Sequence, residues 1–247
     1  VYVYSLNIPE DQMTNTTKIN DNVFYQAYDR AGQGTILKAK HVRQFFKDFV
    51  ESSDFRPEMS VLELGCGNGL FLRYLSKLGV EEFMGVDGDP RILEELPSNL
   101  VSVVHISDFT DFFVSDMANQ RFDRVVLFDV LEHFSPDDAV ALLKSITNLL
   151  TSDGKIVIRV PNMSSPLAMD VQYNDVTHRT AFSPGSIRQV ASVAGLEPVI
   201  IRAQAYTSRY KEIRERILTT ILSWFIAMPP KIWSPNMIAV LKKINTN

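Results

Sequence analysis

The stretch VLELGCGNGLF, residues 61–71, decides the fold of this 247-residue chain. Its apolar start predicts a buried strand, and three glycines at alternate positions permit a sharp turn and the close approach of a ligand. Apolar residues then recur at helical spacing from Leu70 to Leu78, so the N-terminus of a helix is expected to face the same space. A strand, a glycine turn and a helix in this order suit a nucleotide-like ligand.

The spacing of the glycines narrows the choice of ligand. A nicotinamide or flavin fingerprint requires Gly-x-Gly-x-x-Gly, and Leu70 stands where its last glycine would be. The motif Glu63-x-Gly65-x-Gly67-x-Gly69 instead resembles the first motif of class I S-adenosylmethionine-dependent methyltransferases. A second predicted strand, Phe83 to Val86, ends in Asp87 about 20 residues beyond the glycines, where an acid can bind ribose hydroxyls. The resemblance implies S-adenosylmethionine as cofactor, bound by the residues Glu63, Gly65, Gly67, Gly69 and Asp87.

Strand and helix patterns alternate through the rest of the chain. Further strands are predicted at 101–106, 122–128, 155–160, 197–201 and 237–241, with helices between them. Right-handed crossovers make this an α/β protein with a Rossmann-like, doubly wound sheet of seven strands, mostly parallel. The resemblance implies that the last strand is antiparallel. We expect residues 58–247 to form the methyltransferase domain, and residues 1–57 to form an N-terminal arm and a helix, 36–50, that pack on it.

Acidic residues follow the third and fourth predicted strands, at the edge that carries the glycine turn. Asp108-Phe109 resembles the adenine clamp of these enzymes, in which a carboxylate binds the exocyclic amine and a ring covers the purine. A helix cap at Asp108 and a core position for Phe109 are equally compatible with the sequence. Asp129 opens a segment, Asp129 to His133, that resembles the loop after the fourth strand in the family. It is expected to contact the cofactor.

Two of the four histidines, His133 and His178, fall in loops that should flank the acceptor. An acceptor hydroxyl must lose its proton on methylation, and we predict His178 as general base with His133 beside it. The set Asp129, Glu132, His133 and His178 also resembles the Mg²⁺ site of small-RNA 2′-O-methyltransferases and a motif of ubiquinone-pathway O-methyltransferases, with aspartate in place of the first glutamate. A metal ion is therefore an alternative, and the metal-free base is favoured because only one other carboxylate is present.

Residues 163–182 are predicted to form a long acceptor loop. The sequence from Tyr173 to Phe182 is similar to the acceptor loop of bacterial methyltransferases placed in sugar and surface-polysaccharide pathways. The resemblance implies that Tyr173, Asp175 and Arg179 contact the acceptor.

Composition limits the class of partner. A net charge of −4 argues against a nucleic-acid binder, and the single cysteine, Cys66, excludes an internal disulfide framework. We expect a cytoplasmic protein with no transmembrane segment, because no apolar run reaches the length required to span a bilayer. Residues 206–233 are predicted as a helical insertion before the last strand. Its apolar part, 217–228, could cover the acceptor site, contact a second copy or lie on a membrane surface.

These patterns together predict an S-adenosylmethionine-dependent O-methyltransferase that acts on a small molecule, most simply a nucleotide sugar or glycan precursor. Two alternatives stay open. One is an O-methyltransferase of a quinone or lipid-like phenol. The other is a protein of methyltransferase fold that binds the cofactor without turnover.

Overall fold

The computed structural model describes residues 36–244, which fold around one seven-stranded sheet in the order β3-β2-β1-β4-β5-β7-β6. The strands are β1 (Val61–Leu64), β2 (Phe83–Asp87), β3 (Val104–Ile106), β4 (Phe122–Phe128), β5 (Leu150–Pro161), β6 (Leu196–Ala203) and β7 (Asn236–Lys243). Strands β1 to β5 pair in parallel, whereas β7 runs antiparallel to both β5 and β6. The predicted fold class is confirmed, including the antiparallel last strand.

Helices cover both faces of this sheet. In chain order they are α1 (Ala39–Phe45), α2 (Leu70–Leu78), α3 (Ile92–Glu95), α4 (Ser98–Val101), α5 (Phe109–Val114), α6 (Pro136–Thr147), α7 (Met169–Tyr173), α8 (Pro184–Val193) and α9 (Arg209–Phe225). One apolar cluster packs α6 and α8 against one face, and a second packs α1 and α2 against the other. Central strands such as β4 are therefore apolar on both sides, because they are covered on both sides.

The N-terminal helix belongs to the second cluster. Helix α1 continues as a π-helical segment, Phe46–Glu51, and together they cover most of the predicted helix 36–50. The Phe49 ring lies 4.9 Å from the Phe71 ring of α2, and the Phe45 ring stacks on Phe128 at the end of β4 at 5.8 Å. The predicted N-terminal arm, residues 1 to about 33, lies outside the described residues.

Two strands begin three or more residues away from their predicted starts. The third strand begins at Val104, because Val101 ends helix α4. The fifth strand begins at Leu150, five residues before the predicted start, and its pairing with β4 shifts register between Phe122 and Arg124. Gly154 lies inside this strand. A Cβ there would stand 2.8 Å from the Leu150 Cβ, so only glycine fits this close approach.

The predicted insertion contains the 17-residue helix α9. Packing over its own domain, one of three readings of its apolar part, is contradicted: Ile217, Ile221, Trp224 and Phe225 are exposed. Within residues 36–244 there is also no helix whose length and apolarity would let it cross a membrane.

Candidate active site

The glycine turn joins β1 to α2 and leaves space beside the backbone. All three glycines have positive φ, between 49° and 76°. A Cβ on Gly65 would stand 2.5 Å from Val130 and one on Gly69 would stand 2.4 Å from Leu96, whereas a Cβ on Gly67 would meet nothing within 4 Å. Two glycines are therefore required by packing, and the third borders open space that a ligand can enter.

Asp87 lies at the end of β2 and is bound to the glycine turn. Its Oδ2 accepts the Gly67 N–H at 2.8 Å and its Oδ1 accepts the Asp89 N–H at 2.9 Å. An acid at the end of the second strand, beside the glycine turn, is placed as a ribose-binding acid would be. The structure thus brings the predicted ribose acid and the turn together, 20 residues apart in sequence.

Glu63 lies in the interior of β1 and only 3% of it is exposed. Burial raises the pKa of this carboxyl well above the ordinary value of 4.5, although Arg159 opposes the shift. Its Oε2 has no hydrogen-bond partner among the described residues. A buried carboxyl oxygen without a partner, next to the glycine turn, fits a cationic, hydrogen-bonding ligand such as the amino-acid end of S-adenosylmethionine.

Asp108 and Phe109, the two residues predicted to bind adenine, also have structural roles. Asp108 caps helix α5, with its Oδ1 accepting the Asp111 N–H at 2.8 Å. The Phe109 ring stacks on Phe134 with 6.0 Å between centroids and an interplanar angle of 14°. The helix cap and the packed ring that the sequence allowed are therefore present, and the adenine contact stays a prediction.

Asp129 follows β4 with a φ of 59°, an uncommon value for a residue other than glycine. Both of its carboxylate oxygens accept hydrogen bonds from the Arg159 guanidinium, which lies over the Phe128 ring at 4.7 Å. This bidentate pair fixes the strained turn at the mouth of the site. Arg159 was missed in the sequence because a lone arginine inside an apolar strand carries no motif.

Glu132, His133 and His178 meet as expected from the two facing loops. The two imidazole rings are 4.7 Å apart at an interplanar angle of 72°, and His178 Nε2 lies 4.0 Å from Glu132 Oε1. Neither carboxylate oxygen of Glu132 has a hydrogen-bond partner among the described residues. Burial raises the Glu132 pKa well above its usual value, and the nearby Asp129 charge adds to the shift.

Hydrogen bonds orient both imidazoles in the same way. His178 Nδ1 donates to the Gln172 carbonyl oxygen at 2.9 Å, so its Nε2 is the basic nitrogen. Thr177 Oγ1 donates to Asp175 Oδ1 at 2.6 Å and therefore accepts from His133 Nδ1 at 2.9 Å. Burial lowers the His133 pKa, and the neighbouring His178 lowers it further. In the neutral form of each ring, Nε2 therefore carries the lone pair.

Three of the four predicted metal ligands form a compact set. Ligand atoms of Glu132, His133 and His178 lie within 4.8 Å of one another. Asp129 does not join this group and pairs with Arg159 instead, which corrects its prediction as a ligand. Two imidazoles and one carboxylate, with each imidazole held through its other nitrogen, fit a divalent ion. The nitrogen-rich set suits Mn²⁺, Fe²⁺ or Zn²⁺ better than the predicted Mg²⁺, which prefers oxygen ligands.

The acceptor loop is tied to the segment after β4. The N–H groups of Arg179 and Thr180 both donate to the Glu132 carbonyl oxygen, at 2.8 and 3.0 Å. Tyr173 is 66% exposed at the end of α7, and the Arg179 side chain is exposed as well, so both are accessible to an acceptor. Asp175 instead hydrogen-bonds to Thr177, which makes it a positioning residue for His133 in this structure.

Two members of this network were missed in the sequence. Thr177 and Gln172 act on the histidines through a hydroxyl and a backbone carbonyl. Thr177 lies between Asp175 and His178, and that proximity to two titratable residues was the available signal. Any residue has a carbonyl group, so nothing in the sequence could have indicated Gln172.

A family model described as a methyltransferase domain matches residues 38–200, which span the glycine turn, Asp87 and the histidine cluster. The chain belongs to this methyltransferase family. Its cofactor is accordingly S-adenosylmethionine, as predicted. The match ends before α9 and β7.

Curated relatives and solved structures agree with this placement. The chain is 28% identical over 144 residues to a ribosomal protein L11 methyltransferase of Thermosipho africanus, covering 58% of the chain and 50% of that protein. It is 26% identical over 163 residues to a ubiquinone biosynthesis O-methyltransferase of Neisseria meningitidis serogroup C, covering 63% and 64%. The chain thus spans only half to two-thirds of these relatives. A SAM-dependent methyltransferase structure from Archaeoglobus fulgidus superposes with a TM-score of 0.63 at 19% identity, over 89% of this chain and 99% of that one.

Proposed function

We propose that this protein is an S-adenosylmethionine-dependent O-methyltransferase of a hydroxylated small molecule, with His178 as general base. The observation that carries the proposal is the orientation of His178: its Nδ1–H is bound to the Gln172 carbonyl, so the Nε2 lone pair is available to take a proton. Methyl transfer from a sulfonium is an in-line displacement, in which the enzyme aligns the two reactants and accepts the proton of the hydroxyl.

Two loops connect the proposed base to the cofactor turn. Val130 packs against Gly65, and the same segment continues into Glu132 and His133. The acceptor loop then brings His178 to this segment through the backbone bonds on Glu132. The acceptor would therefore lie between the glycine turn and the loop formed by residues 163–182.

The first candidate acceptor is a nucleotide sugar or glycan precursor. It is supported by the similarity of the 173–182 loop to sugar-pathway methyltransferases and by the exposed Arg179, which could pair with a phosphate. The second candidate is a quinone precursor or other phenol, and the curated relatives named as ubiquinone biosynthesis O-methyltransferases favour it. Incubating the protein and S-adenosylmethionine with nucleotide sugars and with catechols, and measuring S-adenosylhomocysteine release, distinguishes these candidates.

A cofactor-binding protein without turnover is the remaining alternative. The pair of oriented histidines argues against it, because a protein that only binds the cofactor has no need of a base. Release of S-adenosylhomocysteine with any acceptor would exclude this alternative. Tight cofactor binding with no release across both acceptor classes would favour it.

A divalent ion at Glu132, His133 and His178 offers another way to activate the hydroxyl, by binding its oxygen and lowering its pKa. We expect His178→Ala to reduce turnover by about 100-fold under either mechanism. Chelation separates them, since EDTA leaves a metal-free base unaffected and abolishes metal-assisted activity until Mn²⁺ or Zn²⁺ is restored. His41→Ala, at a half-buried position on α1, is the matched control. Full activity of His178→Ala in the presence of EDTA would refute both mechanisms.

A further inference from the structure

Helix α9 has its apolar side turned away from the domain. At 100° per residue, Tyr210, Ile213, Ile217, Ile221 and Trp224 form one stripe, and every one of them is more than 50% exposed. The opposite side carries Glu215, Thr219 and Ser223, of which Thr219 is the one buried residue of the helix. A helix that packed on its own domain would have the reverse arrangement.

Charged residues follow the same division. Four basic residues, Arg209, Lys211, Arg214 and Arg216, flank the apolar stripe along the first half of the helix. The two acids, Glu212 and Glu215, lie seven and four residues before Thr219 and therefore share its side. Burial raises the pKa of Tyr206 to about 12 and the Glu215 carboxyl adds to the shift, so Glu215 lies beside the segment that leads from β6 into the helix. The solvent-facing side is thus apolar in the middle and basic at its borders, although the whole chain has a net charge of −4.

The second half of the helix projects furthest into solvent. Trp224 is 85% exposed, Phe225 is 82% exposed and Met228 is 89% exposed. Neighbouring helical residues point about 100° apart, so exposure of both rings means that the last turn is free of the domain over a wide arc. Tryptophan and phenylalanine next to a basic helix surface are typical of segments that lie in the headgroup region of a bilayer.

We propose that helix α9 docks this protein on an anionic membrane surface, with Trp224 and Phe225 inserted at the level of the headgroups and the basic residues paired with lipid phosphates. A second copy of the chain is the less suitable occupant. Its own α9 would bring the same basic groups into the interface, and the acids of α9 are on the side held by the domain. A lipid surface instead supplies the negative charge that the borders of the stripe require.

Co-sedimentation of the full chain with vesicles tests this proposal. We expect binding to phosphatidylcholine vesicles that contain phosphatidylglycerol, weak binding to phosphatidylcholine alone, and loss of the difference at high salt. The double variant Trp224→Ser, Phe225→Ser should reduce partitioning by about tenfold or more, because it removes two large apolar groups from the contact. Val114→Ser, which changes an equally exposed apolar residue on α5, should bind like the parent protein.

A spectroscopic measurement locates the contact. The chain has two tryptophans, so Trp233→Phe leaves Trp224 as the sole reporter. Its emission should shift to shorter wavelength with anionic vesicles and stay unchanged with neutral ones. Absence of binding to anionic vesicles, or equal binding by the double variant, would overturn the proposal. A concentration-dependent dimer that the double variant loses, without vesicle binding by the parent, would assign the stripe to a second copy instead.

Discussion

Asp87 shows how one carboxylate can serve both the fold and the cofactor. It already accepts backbone N–H groups from Gly67 and Asp89, so removing it entirely would also loosen the turn. Asp87→Asn keeps one acceptor oxygen and removes the charge. We expect it to weaken S-adenosylmethionine binding at least tenfold, since a charge-assisted hydrogen bond contributes about 1.5–3 kcal/mol. Isothermal titration calorimetry measures this directly, and unchanged affinity would remove Asp87 from the ribose site.

Glu63 gives a pH-dependent prediction at the same scale. Because burial raises its pKa above 4.5 in the folded state, the folded protein holds a proton that the unfolded chain releases as pH rises past that value. Its contribution is therefore fully present below pH 4.5 and is lost as the pH rises towards the folded-state pKa. Glu63→Gln removes this pH-dependent loss. The thermal stability of the variant should therefore rise relative to that of the parent between about pH 5 and pH 8, a range that lies above the ordinary glutamate pKa.

Melting temperatures of both proteins across this range, without cofactor, provide the measurement. Glu82→Gln, at an exposed position before β2, is the matched control and should melt in parallel with the parent. A constant difference between Glu63→Gln and the parent at every pH would show that the carboxyl is ionised in the folded state.

At the scale of the element, substitutions in the acceptor loop should weaken acceptor binding without changing cofactor affinity. Tyr173 and Arg179 are exposed, whereas the turn that should bind the cofactor lies between β1 and α2. We expect Arg179→Met to raise KM for a phosphorylated acceptor about tenfold or more, through loss of a charged hydrogen bond. The dissociation constant for S-adenosylmethionine should stay within about twofold.

Arg188→Met, on the exposed side of α8, controls for the loss of positive charge in the same part of the chain. Steady-state kinetics combined with a cofactor titration check both values. If Arg179→Met weakened the binding of the cofactor and of the acceptor by the same factor, the loop would have to contact both. An unchanged KM would favour the uncharged phenolic acceptor.

At the scale of the whole molecule, the segment before β1 should be an integral part of the core. Phe49 is fully buried, 4.6 Å from the Phe55 ring and 4.9 Å from the Phe71 ring, whereas Phe46 is 45% exposed. Phe49→Ala should destabilise the protein by about 3–5 kcal/mol through lost burial and the cavity that remains. Phe46→Ala should cost less than about 1 kcal/mol, as surface changes do. Denaturant unfolding measures the free energy of unfolding of both variants. If both variants lost equally little stability, this segment would have to detach from the domain.

The sheet could be predicted almost completely because its signals are local. A few neighbouring residues are enough to indicate an apolar strand, the glycine turn or a helix cap such as Ser135 or Ser183. The predicted strand boundaries were wrong where pairing with a neighbouring strand determines where a strand begins. Leu150 joins β5 because Phe122 of β4 offers a pairing partner there, a relation that no local pattern contains.

The sequence by itself determined the family, the cofactor and the meeting of His133 with His178, because carboxyl ends of parallel strands lie along one edge of a sheet. Only the tertiary structure decided the partners of each side chain at that edge. Asp129 pairs with Arg159 instead of joining the histidines, since a residue distant in sequence lies beside it. The direction of the apolar stripe on α9 was decided in the same way. A helical pattern defines a hydrophobic side, but the side that faces the domain depends on how the whole helix is attached.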